Sequence, residues 1–292
     1  MIRFGPAGNS DSFYAEGRKT TLDVPRWLHE RGLNAYEYQC TRGVRITQAF
    51  ANALRVQAER FHIALSIHAP YYINLASPDP TIMESSKKHI LKSLQAARWM
   101  GADRVVMHPG SVSKLQRNEA MKNALILLEK IVTEIDPEIL DECCLCPETM
   151  GKVNNLGTLP EILELCKIHP RIIPTVDFGH IHALEGGSLK GEAQFQRVIE
   201  KIEKVLGSDV VKNLHVHFSP VEFTAGGERK HHNLMDKEYG PEFLPFAKII
   251  RKHGLAPRVI CESAGCQAED AAAFKSIYLS LKNDSPYHSP VV

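Results

Sequence analysis

The chain has 292 residues, 43% hydrophobic and 24% charged, with a formal net charge of +1. That mixture is ordinary soluble globular material and excludes a collagenous, disordered or low-complexity chain. No run of about 18 apolar residues occurs, which excludes a membrane-spanning helix, and the near-neutral charge neither favours nor excludes a polyanionic partner.

The N-terminus, Met1 to Pro6, runs straight into a strand pattern without the layout of a signal peptide. Seven cysteines are present, with Cys143, Cys144 and Cys146 crowded on one predicted strand. Such neighbours cannot make an extracellular disulfide framework, so reduced thiols in the cytoplasm are expected. No P-loop, G-x-G-x-x-G or HExxH motif occurs. Nothing implies a protein partner.

Strand-like and helix-like segments alternate along the chain. The apolar patterns predict strands at 2–4, 35–38, 63–68, 104–108, 145–148, 172–177, 214–218 and 258–262. Between and after them, helical spacing predicts helices at 22–31, 47–61, 80–100, 118–135, 158–168, 193–206, 241–253 and 269–281. Ser and Pro enrich the tail, 283–292, which is expected to fray. Eight strands, each followed by a helix, with no break in composition, predict a single (β/α)8 TIM barrel over 1–282. An open doubly wound sheet normally uses fewer strands and often carries a glycine-rich loop after the first.

In such a barrel the active site sits at the C-terminal ends of the strands. Six successive predicted strands finish on His68, His108, Glu148, Asp177, His217 and Glu262, spaced 40, 40, 29, 40 and 45 residues apart. Singly, each has an ordinary alternative. Asp177 with His180 is common helix-start chemistry, and His108 or Glu148 suits a loop. Together, acids and histidines converging on one ring repel or go unsatisfied without a cation between them, which predicts a polynuclear metal site. His215 shares the inward face with His217, as an orienting or packed residue, and His182 reads as a helix-start residue. The long loop after the seventh strand adds Glu228 and His231 as possible partners of His180, with Arg229 and Lys230 suited to phosphate. The alternative there is a solvated, mobile loop.

Several stretches are similar to those of the endonuclease IV family, zinc-dependent apurinic/apyrimidinic (AP) endonucleases of the xylose-isomerase-like barrel superfamily. They are His68-Ala69-Pro70-Tyr71-Tyr72-Ile73-Asn74-Leu75, His108-Pro109-Gly110-Ser111, Pro147-Glu148-Thr149-Met150-Gly151 with Asn155-Leu156-Gly157, Asp177-Phe178-Gly179-His180, and Cys261-Glu262-Ser263. The resemblance implies hydrolysis of the phosphodiester 5′ to abasic sites in duplex DNA, in base excision repair. It also implies a cluster of two to three zinc ions, with manganese as the compatible alternative. His68 and His108 would hold one ion, bridged by Glu148 to a second held by Asp177, His217 and Glu262. His180 would hold a third with loop ligands, for which the family usually has Asp-x-His. Here Glu228 and His231 are the nearest substitute, and the family's Asn-Asp after the strand-seven histidine is Ser219-Pro220. By the same resemblance Glu148 and Glu262 would be catalytic. Tyr71 and Tyr72 would enter the minor groove beside Arg42, rim packing being their alternative.

A rival reading is a sugar or sugar-phosphate isomerase or epimerase of the same superfamily, using Glu148 and Glu262 around one divalent ion. It needs fewer histidines than are present. A third is a barrel that binds damaged DNA or metal without cutting.

Overall fold

A computed structural model of the chain describes residues 1–281; the Ser/Pro-rich tail lies outside them. Among the described residues the strands are β1 (Arg3–Pro6), β2 (Ala35–Gln39), β3 (Ala64–His68), β4 (Arg104–Met107), β5 (Cys144–Pro147), β6 (Thr175–Asp177), β7 (His215–Phe218), β8 (Val221–Thr224), β9 (Gly227–His231) and β10 (Arg258–Cys261). Parallel ladders run β2-β3-β4-β5 and β1-β10-β7-β6. Two seams close them into one ring: Ala7 bridges Glu37, while Leu145 bridges Ile172 and Glu148 bridges Thr175. The protein is an α/β TIM barrel, as its alternating pattern predicts, and closure leaves no open sheet edge in the ring.

Chain chemistry accounts for the element ends. Asp79 caps the helix Pro80–Met100 by accepting from Thr81 N, and Gly101 ends it in the left-handed region. Thr158 and Glu161 form a capping box on Leu159–Cys166. The sixth strand is shorter than predicted, Thr175–Asp177, because Pro174 has no N–H to give the ladder. The final barrel helix runs Gln267–Ser280, and the helix expected from 241 runs Phe243–Lys252. Short helices at Asp11–Ala15, Pro137–Glu142, Phe178–Leu184 and Ser208–Lys212 were not signalled by the longer helical periods.

Between the sheet and its outer helices, buried rings pack tilted and edge-on, with Phe178 against Phe246 at 4.4 Å and Phe218 against Phe243 at 5.1 Å. At the N-terminal end of the barrel the buried Arg258 guanidinium pairs with both Asp103 oxygens, at 2.7 and 3.0 Å.

Candidate metal centre

Each predicted strand end does reach the barrel mouth. His68 ends β3 and Asp177 ends β6, while His108, Glu148 and Glu262 stand one residue beyond β4, β5 and β10. His217 lies within β7, two residues from His215 on the same inward face. Among the described residues four sets of ligand-type atoms gather, each within 4.8 Å: His68, His108 and Glu148; Glu148, Asp177, His217 and Glu262; His180, Glu228 and His231; and the fully buried Glu37, His215 and His217. Glu148 belongs to two of them. Its Oε2 is 3.3 Å from His68 Nε2 and 3.2 Å from His108 Nε2, and its Oε1 is 3.0 Å from His217 Nδ1.

The hydrogen bonds show whether these groups suit a cation. His68 Nδ1 faces the Ala69 carbonyl at 2.9 Å, so it carries a proton there and turns the Nε2 lone pair to Glu148. His180 Nδ1 donates to the Thr149 carbonyl at 2.8 Å, leaving Nε2 as a lone pair 3.3 Å from His231 Nε2. Lone pairs aimed at carboxylates and at each other are unfavourable unless a proton or a metal ion lies between. Asp177 Oδ1 accepts from His180 N, the helix cap, while Oδ2 is buried with no hydrogen-bond partner. One oxygen of this carboxylate thus caps the helix while the other is left over for a cation. The donor set is imidazole and carboxylate, and it fits zinc or a similar divalent ion.

Electrostatics agree. Burial opposes charge on His68, but the hydrogen bond and charge of Glu148 outweigh it and raise the imidazole to about 9. His180 is also raised to about 9, burial being overcome by Asp177 and Glu148. Burial would raise Glu148, yet His217, His108 and His68 hold it well below the usual carboxylate range. Asp177 goes the other way, up to about 6, because burial outweighs the pull of His180. Without metal, protons hold the cluster together; a divalent ion would displace them.

The segment after β7 is not the open loop its glycines suggest but the antiparallel hairpin β8–β9. On a regular strand Glu228 and His231, three apart, would face opposite ways. Glu222 pairs with Lys230 and Phe223 with Glu228, which leaves Arg229 as an extra residue in a β-bulge. The bulge brings both side chains to the same face as His180, at 3.6 Å from its Nε2 to Glu228 and 3.7 Å from His231 Nε2 to Glu228. Ser219, one of the departures from the family pattern, steadies His231 through its hydroxyl at 2.7 Å from Nδ1. Gly151 admits the hairpin: a Cβ there would sit 2.6 Å from Glu228 Cβ and 2.9 Å from His180 Cδ2.

Comparison with known proteins agrees with the barrel fold. Residues 25–277 match the family described as xylose isomerase-like TIM barrel. The chain belongs to that family. It is 32% identical over 263 residues to an uncharacterized protein of Methanocaldococcus jannaschii, covering 90% of this chain and 92% of that one. It is 29% identical over 194 residues to a "Probable endonuclease 4" of Aquifex aeolicus, covering 66% of each chain. Among solved structures, a D-tagatose 3-epimerase-like protein aligns with TM-score 0.70 at 20% identity, covering 95% of this chain and 97% of its own. Endonuclease IV from Thermus thermophilus aligns with TM-score 0.67 at 18% identity, with the same two coverages. The sequence resemblance to endonuclease IV thus recurs among relatives of this xylose isomerase-like barrel.

His68, His108, His180, Glu228, His231 and Glu262 line a cavity of about 640 Å³ together with Gln39, Tyr71, Lys152, Asn155 and Gln267. Tyr71 and Tyr72, 55% and 47% exposed, lie with ring centroids 4.4 Å apart on its rim. Asn74 ties that rim to the next loop by accepting from Ser111 N. Arg42 is exposed on the neighbouring loop. Arg229 and Lys230 are exposed on β9, but Arg229 is held by Glu222 at 2.7 Å rather than extended toward the mouth. His182 does not start a helix: it lies buried in the last turn of Phe178–Leu184, accepting from Leu189 N, against the Phe223 ring. His232 turns away from the mouth, between Asp236 and Glu222 and stacked on Tyr239 at 3.8 Å. Sequence reasoning missed Glu37, which is fully buried in the barrel interior against His215 and His217. Its signal was slight: one acid between two tyrosines of a buried strand. No helix among the described residues is long and apolar enough to cross a membrane.

Proposed function

We propose that this chain is a zinc-dependent endonuclease that hydrolyses the phosphodiester 5′ to abasic sites in duplex DNA, a cytoplasmic enzyme of base excision repair. The observation that carries the reading is three of these ligand groups, two of them joined at Glu148 and a separate one at His180, Glu228 and His231. An isomerase or epimerase working around one ion has no use for that last group.

Divalent ions held there would supply a nucleophilic hydroxide near neutral pH and offset charge developing on the phosphoryl and leaving oxygens. Glu148, with one oxygen toward each neighbouring group, would fix their spacing. Glu262 lines the cavity, and although burial opposes its charge, His217 lowers it to about 2. It stays ionised and accepts a hydrogen bond from the attacking water rather than storing a proton. Tyr71 and Tyr72 would stack at the lesion, where each base–aromatic contact is worth about 1–3 kcal/mol. Arg42 and Lys230 would meet backbone phosphates, and Arg229 would do so after leaving Glu222.

The test is incubation of the purified protein with a duplex carrying one abasic site, with zinc and with chelator. Incision 5′ to the site that chelator abolishes and zinc restores is the expected result. Absence of incision by the zinc-loaded protein refutes the reading. A single exchangeable Mg²⁺ or Mn²⁺, as oxygen-rich sites prefer, together with epimerisation of a ketose, would replace it with the isomerase class.

A further inference from the structure

Beneath the ligand groups, on the barrel axis, lies a polar chain that the proposed chemistry does not use. Arg104 Nη1, at the N-terminal end of the barrel, stands 3.4 Å from His215 Nδ1 and, being a guanidinium, donates to it. His215 therefore carries its proton on Nε2, which points at Glu37 Oε2 at 2.9 Å. Ser66 donates to the same oxygen at 2.9 Å, and Gln39 Nε2 donates to Oε1 at 3.3 Å. Glu37, His215 and Ser66 are fully buried. On its remaining side Glu37 Oε1 lies 3.0 Å from His217 Nε2, off the line of an ideal hydrogen bond.

A buried carboxylate surrounded by donors is fixed in place and keeps its charge. The ring nitrogen beside it is favoured as N–H, and the other nitrogen of His217 is then a lone pair. That nitrogen, Nδ1, faces Glu148 at 3.0 Å and Glu262 at 3.3 Å. We propose that Glu37 is a positioning residue that holds His217 in the Nε2–H tautomer, presenting Nδ1 to the cation shared with Glu148, Asp177 and Glu262. The inference rests on the metal-centre reading above. Carboxylates that orient metal-ligating imidazoles in this way are a general device, and their loss typically costs about 10–100-fold in metal affinity. The cluster Glu37, His215 and His217 also lies within 4.8 Å, but it does not form a cation site of its own. Both nitrogens of His215 are committed, one to Arg104 and one to Glu37, so it has no lone pair to give.

The experiment is zinc titration of chelator-stripped protein against a competing chelator, for wild type, Glu37→Gln and Ser66→Ala. Glu37→Gln keeps the volume and removes the charge; one zinc equivalent should weaken about 10–100-fold, while the equivalent at His180, Glu228 and His231 stays as in wild type. Ser66→Ala, which only loosens Glu37, should weaken the same equivalent by less. Long-range ¹H–¹⁵N spectra of zinc-loaded wild type should show the His217 proton on Nε2. A purely structural Glu37 would instead lower the unfolding midpoint of the metal-free protein and leave every zinc affinity unchanged. That result, or a His217 proton on Nδ1, overturns the proposal. Should Glu37→Gln fail to fold, unchanged zinc affinity in Ser66→Ala overturns it as well. Wild type that binds no zinc at the His217 group overturns the metal-centre reading and this inference together; loaded wild type with an unaffected Glu37→Gln overturns this inference alone.

Discussion

Removing the metal and raising the pH perturbs this centre most directly. The unfolded imidazole titrates near 6.5. In the folded metal-free protein burial lowers His68 and His180, but Glu148 for the first and Asp177 for the second outweigh it and raise both to about 9. Because the native state then binds more protons, this stabilisation is complete below pH 6.5 and is lost as the pH climbs through about 9. At roughly 1.4 kcal/mol per pH unit, each group carries about 3 kcal/mol across that window. Both side chains are more than nine-tenths buried, so solvent screening removes little of it. At the acid end, burial opposes the charge on Glu262 but His217 lowers it to about 2. Its contribution is present above the ordinary carboxylate value of 4.5 and is lost as the pH falls towards 2. Metal-free protein should therefore lose stability steadily from about pH 6.5 to 9. Zinc requires neutral imidazoles, so the loaded protein should lose this decline, and zinc affinity should rise about tenfold per pH unit for each displaced proton. Urea-unfolding midpoints of stripped and loaded protein, with zinc competition across the same range, measure both slopes. Metal-free stability that is flat or rising from pH 6.5 to 9, or a pH-independent zinc affinity, would refute the electrostatics assigned to the site.

Glu148→Gln, replacing the carboxylate common to two ligand groups, should abolish incision and release zinc from both while circular dichroism stays native; near-normal cleavage with unchanged zinc content would contradict the shared role. His231→Ala should remove about one zinc equivalent and slow incision, whereas His232→Ala should leave zinc content alone and cost about 1 kcal/mol of stability through its bonds to Asp236 and Glu222. Gly151→Ala, whose Cβ would stand 2.6 Å from Glu228 Cβ, should displace the hairpin and weaken that same equivalent; wild-type zinc binding by this variant would disprove the close approach. Tyr71→Ala and Tyr72→Ala should each weaken abasic-duplex binding by about 1–3 kcal/mol with the zinc content intact, as read by fluorescence anisotropy.

The barrel was legible in the chain because closure imposes a period. Each strand must cross the same core and each helix must cover it, so one ligand-type residue recurs per repeat, from His68 through Glu262. Capping residues such as Asp79 and Thr158 set the helix starts locally, within reach of sequence alone. The grouping of His68, His108, Glu148, Asp177, His217 and Glu262 followed once they were placed on one ring. The hairpin did not follow. Its charged residues lack apolar alternation, and a spacing of three reads as opposite faces on any regular strand.

Only the ladder between β8 and β9 could show that Arg229 is the extra residue and that Glu228 and His231 therefore share a face. Glu37 was hidden for a related reason. The alternation Tyr36-Glu37-Tyr38 tells which residues oppose each other, but not which face looks into the barrel. Closure of β1 onto β2 through Ala7 and Glu37 settles that, placing the acid beneath His217. The chain by itself determined which residue types stand at the strand ends, since those are counted along the backbone. Register and curvature, which depend on partners from a few to 178 residues away, decided which of the remaining polar side chains meet them.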